Sequence, residues 1–237
     1  MKRNLLFMLV IIGLVLSLSV VSGQDISKET RDLKGFSKVS FGIAGDLKIK
    51  IGPEFSVVLE GTKSDLEEVV TEVSGDKLLI KQESWRFHFN DKVSVFVTMP
   101  SISGLSVSGS GRAEILDAIS DADNLNLNVS GSGNLITAGL IVDELNCDIS
   151  GSGNITIKSE GSADRGDITI SGSGGYSGES MEIDHLDVNI SGSGHCLCKA
   201  GDSITASISG SGNVTYKGDP KIDAHVSGSG HVRSYSK

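Results

Sequence analysis

The chain has 237 residues, a net charge of −9, 30 glycines against three prolines, and aromatic side chains at only 5%. So many glycines speak against a helical enzyme and for a β-rich protein with many tight turns. The acidic balance argues against nucleic acid or an anionic membrane surface as a partner.

Residues 1–23 have the order of a signal peptide. Lys2 and Arg3 form a positive start, Leu5 to Leu16 an apolar centre, and Val21-Ser22-Gly23 supplies small residues ahead of a cut before Gln24. Removing it takes two of the 21 basic residues and leaves 19 against 30 acidic, a net charge of −11. An uncleaved anchor is the other reading, because Leu5–Val21 approaches spanning length. No second apolar stretch follows, so an exported protein without a membrane span after cleavage is expected. Residues 24–35 are polar and unpatterned and read as a flexible leader.

Residues 36–100 read as a smaller β-rich region. Alternation in Val39-Ser40-Phe41, Leu47-Lys48-Ile49-Lys50-Ile51 and Phe55-Ser56-Val57 predicts strands, with turns at Gly45-Asp46 and Gly52-Pro53. Thr62 to Val70 reads as one short helix with Ser64 as its N-cap. Leu78-Leu79-Ile80, residues 85–89 and Val93 to Val97 add three more strands. Trp85, Phe87 and Phe89 share one face of their strand. Such a row is first a core surface, and it is also the chain's best aromatic platform for stacking on a sugar ring.

Pro100 marks a change of regime. The tetrapeptide Ser-Gly-Ser-Gly begins at Ser108, Ser130, Ser150, Ser171, Ser191, Ser209 and Ser227, at spacings of 22, 20, 21, 20, 18 and 18 residues. Each copy follows an alternating run such as Leu127-Asn128-Val129 or Val188-Asn189-Ile190. A fixed period with period-2 strands inside it predicts an all-β solenoid over 101–237, with about seven tetrapeptide-cornered coils. Six steps at ~4.8 Å would make a rod of roughly 29 Å. Glycine suits corners that need positive φ, and serine hydroxyls can bond the backbone groups freed there. The residues that follow the tetrapeptides, Arg112, Asn134, Asn154, Gly175, His195, Asn213 and His231, form a column that asparagine and glycine suit as left-handed corners. On the strands, Asn128, Asn189, Ser207 and His225 point outward and make a repeated polar face, the candidate ligand contacts of the repeat.

Cys147 and Cys196 fall two coils apart, at least roughly 9.6 Å, beyond the ~4.4–6.8 Å a disulfide tolerates. The three cysteines are therefore expected free. Cys196 and Cys198 lack a third ligand, and His195 and His231 are also two coils apart, so no metal site is expected. A phosphate-cradling loop would need a following helix and lysine, and neither is there. Asp117, Asp121 and Asp123, with Arg112 as the nearby base, come closest to the carboxylate cluster that a polysaccharide-cleaving β-helix needs. No catalytic residue and no cofactor is expected.

The run Met99-Pro100-Ser101-Ile102-Ser103-Gly104-Leu105-Ser106-Val107, leading from the first β region into the tandem tetrapeptides, resembles the head GIN domain of the auto-transporter adhesin family. The resemblance covers roughly residues 36–235. It implies a right-handed, single-stranded β-helix, with 36–237 as one continuous domain of an exported bacterial protein. The expected site of action is the periplasm, the outer cell surface or the medium. The function it implies is adhesion, through non-catalytic binding of a surface glycan or an envelope protein. The alternatives are a structural scaffold of the envelope, as a homo-oligomer, or an enzyme acting on polysaccharide.

Overall fold

A computed structural model of the protein describes residues 26–83 and 93–235. It is 74% strand and 2% helix, so backbone ladders between strands carry nearly all of the architecture.

Each tetrapeptide is a corner between two strands. The first joins β8 (Gly104–Gly109) to β9 (Arg112–Ile115) and the second β10 (Ile119–Gly131) to β11 (Asn134–Thr137). The third joins β12 (Leu140–Gly151) to β13 (Asn154–Ile157), and the fourth β14 (Gly161–Gly172) to β15 (Gly175–Gly192). The remaining corners join β15 to β16 (His195–Gly210), β16 to β17 (Asn213–Lys217), and β18 (Lys221–Gly228) to β19 (His231–Ser234). Strands one coil apart pair in parallel and in register. One row runs Leu105, Leu127, Cys147, Ile168, Val188, Ala206, Ala224. Another runs Arg112, Asn134, Asn154, Gly175, His195, Asn213, His231. The solenoid has about six turns. Its inward rows are buried from Leu105 to Ala206, because each side chain has a like neighbour above and below.

The two glycines of a corner do different work. Gly151 has φ +115°, and a Cβ there would sit 2.5 Å from the carbonyl oxygen of Gly131. Gly153 has no positive φ, yet its Cβ would collide with the Gly133 carbonyl and with Val129. The first glycine makes the turn and the second lets the coils approach. The freed N–H groups bond to backbone and not to serine: Ser152 and Gly153 both donate to the Gly131 carbonyl, at 2.8 and 3.0 Å, and Asn154 donates to that of Gly133 at 3.1 Å. The tetrapeptide serines are exposed instead. The left-handed position is the first glycine; the column from Arg112 to His231 lies in extended strands. Two expectations about the corner are thereby corrected.

The region before Pro100 belongs to the same stack. β2 (Lys38–Gly42) pairs in parallel with both β6 (Lys77–Gln82) and β8, and β3 (Gly45–Ile51) with both β7 (Val93–Met99) and β9. The β2–β3 coil thus lies between β6–β7 and the first tetrapeptide coil. Beyond β6 and β7 the pairing turns antiparallel: β5 (Val69–Ser74) covers β6, β4 (Ser56–Thr62) covers β7, and β1 (Ile26–Arg31) covers β4.

β1 lies inside the expected flexible leader. Its ladder with β4 and the Lys28–Glu60 ion pair at 2.5 Å order a segment that is too polar to announce itself. The expected helix is also shorter. α1 spans Lys63–Glu67, capped by the Thr62 hydroxyl, which accepts from the Asp65 N–H at 3.3 Å; Ser64 is not the cap. It ends there because Val69, Val70, Thr71 and Val73 belong to β5, where β-branched residues fit the pleat.

Candidate functional site

The long strands present one outward face, made of residues that alternate with the buried rows. Its central column reads Ser106, Asn128, Asp148, Thr169, Asn189, Ser207, His225. The structure thus brings Asn128, Asn189 and His225 into one line, in the order expected of stacked coils. Beside it runs a second column that the sequence reading did not single out: Asn126, Asn146, Asp167, Asp187, Thr205, Asp223. On its other side lie the first serines of the tetrapeptides, all exposed, from Ser108 to Ser227. The columns are polar throughout because residues alternate along each strand, one set filling the core, as Leu127 and Val129 do, and the set between them meeting water.

Alternation breaks in the long strands at Asp143-Glu144 in β12 and Asp164-Arg165 in β14, where both residues of each pair are exposed. There Asp123, Asp143, Asp164 and Asp184 follow one another up the stack along one edge, each standing between residues that pair in register, and Asp202 continues the line across a register shift. These aspartates repeat at 20, 21, 20 and 18 residues, the same intervals as the tetrapeptides, and that spacing was the signal available in the sequence. His185 Nε2 lies 3.8 Å from Asp202 and its Nδ1 lies 3.1 Å from the Ser203 hydroxyl. Glu144, Asn146, Arg165, Asp167, His185 and Asp187 line an open depression of about 370 Å³ between edge and face.

Other candidates stay apart. Trp85, Phe87 and Phe89 lie outside the described residues. Asp117 accepts from the Ile51 N–H at 2.9 Å and is committed to the backbone, while Asp123 is exposed at the edge. Among the described residues no group of three His, Cys, Asp or Glu is placed to hold a metal ion. Cys147, Cys196 and Cys198 are buried and free. Burial pushes the Cys147 thiol far up, and the Cys196 thiol is raised by its hydrogen bond with Cys198 and by burial, so neither is a thiolate at neutral pH. The buried Tyr176 hydroxyl, also raised by burial, occupies the space where Gly178 lacks a side chain. A cleft of about 460 Å³ opens near the seam between the first β region and the repeat, lined by Ile51, Pro100, Ile102, Ile119 and Ala122 among others.

Solved structures share this fold. A putative adhesin from Bacteroides fragilis superposes with a TM-score of 0.83 at 22% identity, covering 90% of this chain and 98% of its own. A putative lipid binding protein from Parabacteroides distasonis gives 0.70 at 22%, covering 90% and 97%. A putative adhesin from Parabacteroides merdae gives 0.70 at 21%, covering 89% and 96%. No curated protein matches the chain. The family described as putative auto-transporter adhesin, head GIN domain, matches residues 35–220, and the chain belongs to that family.

Proposed function

We propose that the protein acts without catalysis as an adhesion module of the cell envelope, exported by residues 1–23, and that it holds a neutral, hydroxyl-rich polymer along the outward face of its long strands. The observation that carries this reading is the pair of in-register columns through Asn128 and Asn126. Asparagine offers a donor and an acceptor, aspartate two acceptors, and serine and threonine both roles, which is the chemistry that pairs with sugar hydroxyls. The rungs repeat every ~4.8 Å, so weak contacts add along a polymer by multivalency rather than by one deep pocket. Four aspartates and no lysine or arginine stand in the two columns, which repels acidic chains. The adhesin family is consistent with surface contact.

Affinity electrophoresis of residues 24–237 against neutral and acidic polysaccharides tests this. Retardation by neutral polymers is expected, weakened roughly tenfold in Asn128→Ala/Asn189→Ala, each residue losing about one hydrogen bond. Equal retardation of the variant, a preference for acidic polymers, or release of oligosaccharide fragments would overturn the reading.

A further inference from the structure

The last described coil has an edge that no described strand covers. β18 pairs with β16 on one side only, and β19 likewise with β17, among the described residues. Every residue of β18 is exposed. Ile222 and Val226, which continue the buried rows of Ile204 and Ile208, are 40% and 38% exposed. Unpaired N–H and C=O groups beside an apolar strip are a template for another strand.

The sequence of that strand complements itself. Antiparallel pairing must set inward residues opposite inward ones, which leaves only alternate registers. Centred on Ala224, the strand Lys221-Ile222-Asp223-Ala224-His225-Val226-Ser227 meets its own copy with Ile222 opposite Val226, Asp223 opposite His225 and Lys221 opposite Ser227. Each pair occurs twice by symmetry, and no like charges face each other. The next register toward the N-terminus sets Asp223 against Asp223 and Lys221 against His225. The next toward the C-terminus sets His225 against His225 and leaves Asp223 opposite Ser227.

We infer that two copies of this chain join tail to tail through β18, about a two-fold axis at Ala224, as an isologous dimer. The occupant of the open edge is a second copy. Because the pleat stays in phase, Asp223 and His225 of both copies remain on the outward side, and the two polar faces become one surface of twice the length. The inference stands on the edge itself and does not depend on what that surface binds.

The directly opposed Cα atoms of Ala224 would lie ~4.5–5.5 Å apart, within disulfide reach. In residues 24–237, Ala224→Cys is expected to form a disulfide-linked dimer under mild oxidation, the native cysteines being buried. Ser227→Cys, whose copies would lie roughly 20 Å apart, is expected to form none. By sedimentation across a concentration series the parent chain dimerises, Asp223→Lys weakens the dimer roughly tenfold or more by removing both Asp223–His225 pairs and setting a lysine opposite each imidazole, and Asp223→His/His225→Asp restores it. A monomer at every concentration with no Ala224→Cys crosslink would overturn the inference. Equal crosslinking by Ser227→Cys, or open-ended polymers in place of a dimer, would do the same.

Discussion

The two ends of the solenoid solve the same problem differently. A stack of parallel strands buries each inward side chain only if a coil lies on both sides of it. At the N-terminal end, the outermost parallel strands β6 and β7 are covered by antiparallel β5 and β4, and α1 drops Leu66 into the core at 0% exposure. Charged pairs such as Lys81–Glu72 at 2.7 Å and Lys28–Glu60 decorate that edge. At the C-terminal end, β18 repeats the same inward pattern as the coils below it and is exposed along its whole length. The difference teaches that alternation specifies which way a side chain points, while neighbours decide whether it is buried.

The strongest way to break this comparison is to put one substitution in two coils. Gly151→Val in the middle must take a β-branched side chain to φ +115° and push on the Gly131 carbonyl. Backbone strain of ~1–3 kcal/mol and overpacking of ~1–3 kcal/mol together give a loss of roughly 2–6 kcal/mol in urea unfolding. Gly228→Val has φ +132° and a closer carbonyl, that of Gly210, but no following coil among the described residues holds it in place. It should cost less than half as much, since β18 and β19 can fray locally. Equal costs would show that the last coil is as tightly held as the middle, against the exposure of β18.

The stacked architecture was legible from Leu105 onward because the tetrapeptide marks every corner and alternation marks every strand between. Asn128, Asn189 and His225 could be placed on one face by counting alone. Three things were not legible. β1 reads as polar leader because an edge strand buries little and leaves no alternation strong enough to see. β5 was merged into the helix because Val69 and Val70 follow Glu68 without a glycine or proline to mark the break. The β2–β3 coil lies between β6–β7 and β8–β9, out of chain order, and no local pattern in Lys38–Ile51 encodes which coil it will stack on. At the site, the aspartate edge was missed because the tetrapeptide drew attention to the opposite end of each long strand.

A second test sharpens the contrast at the ends themselves. Leu66→Ala removes a fully buried side chain that packs on Gly61 under the cap, and a loss of about 2–5 kcal/mol is expected. Val226→Ala at the open end removes a side chain that is 38% exposed, and should cost less than about 1 kcal/mol at dilutions that hold the monomer. Similar losses would mean that the open end is as well packed as the cap.

Acid gives the smallest effect and the most selective one. The ion pair with Lys158, whose Nζ donates to Glu114 at 2.6 Å, holds the Glu114 carboxyl below its ordinary value. The hydrogen bond from Lys38 does the same for Asp76. A carboxylate whose folded pKa is depressed contributes stability that is fully present above its unfolded pKa and is lost as pH falls through the folded value. The window therefore starts near pH ~4 and extends below it. Lys158 is half exposed, so screening limits its pair with Glu114 to roughly 0.5 kcal/mol. Both carboxylates lie toward the capped end: Asp76 leads into β6, and Glu114 ties the first tetrapeptide coil to the segment after β13. Hydrogen exchange measured at pH 6 and pH 3.5, corrected for intrinsic rates, should show protection falling more in β6 and β9 than in β12 and β14. Glu114→Gln should remove the pH dependence around β9 and leave that around β6 intact. A uniform loss across all coils would show that the cap is no more sensitive to acid than the repeat.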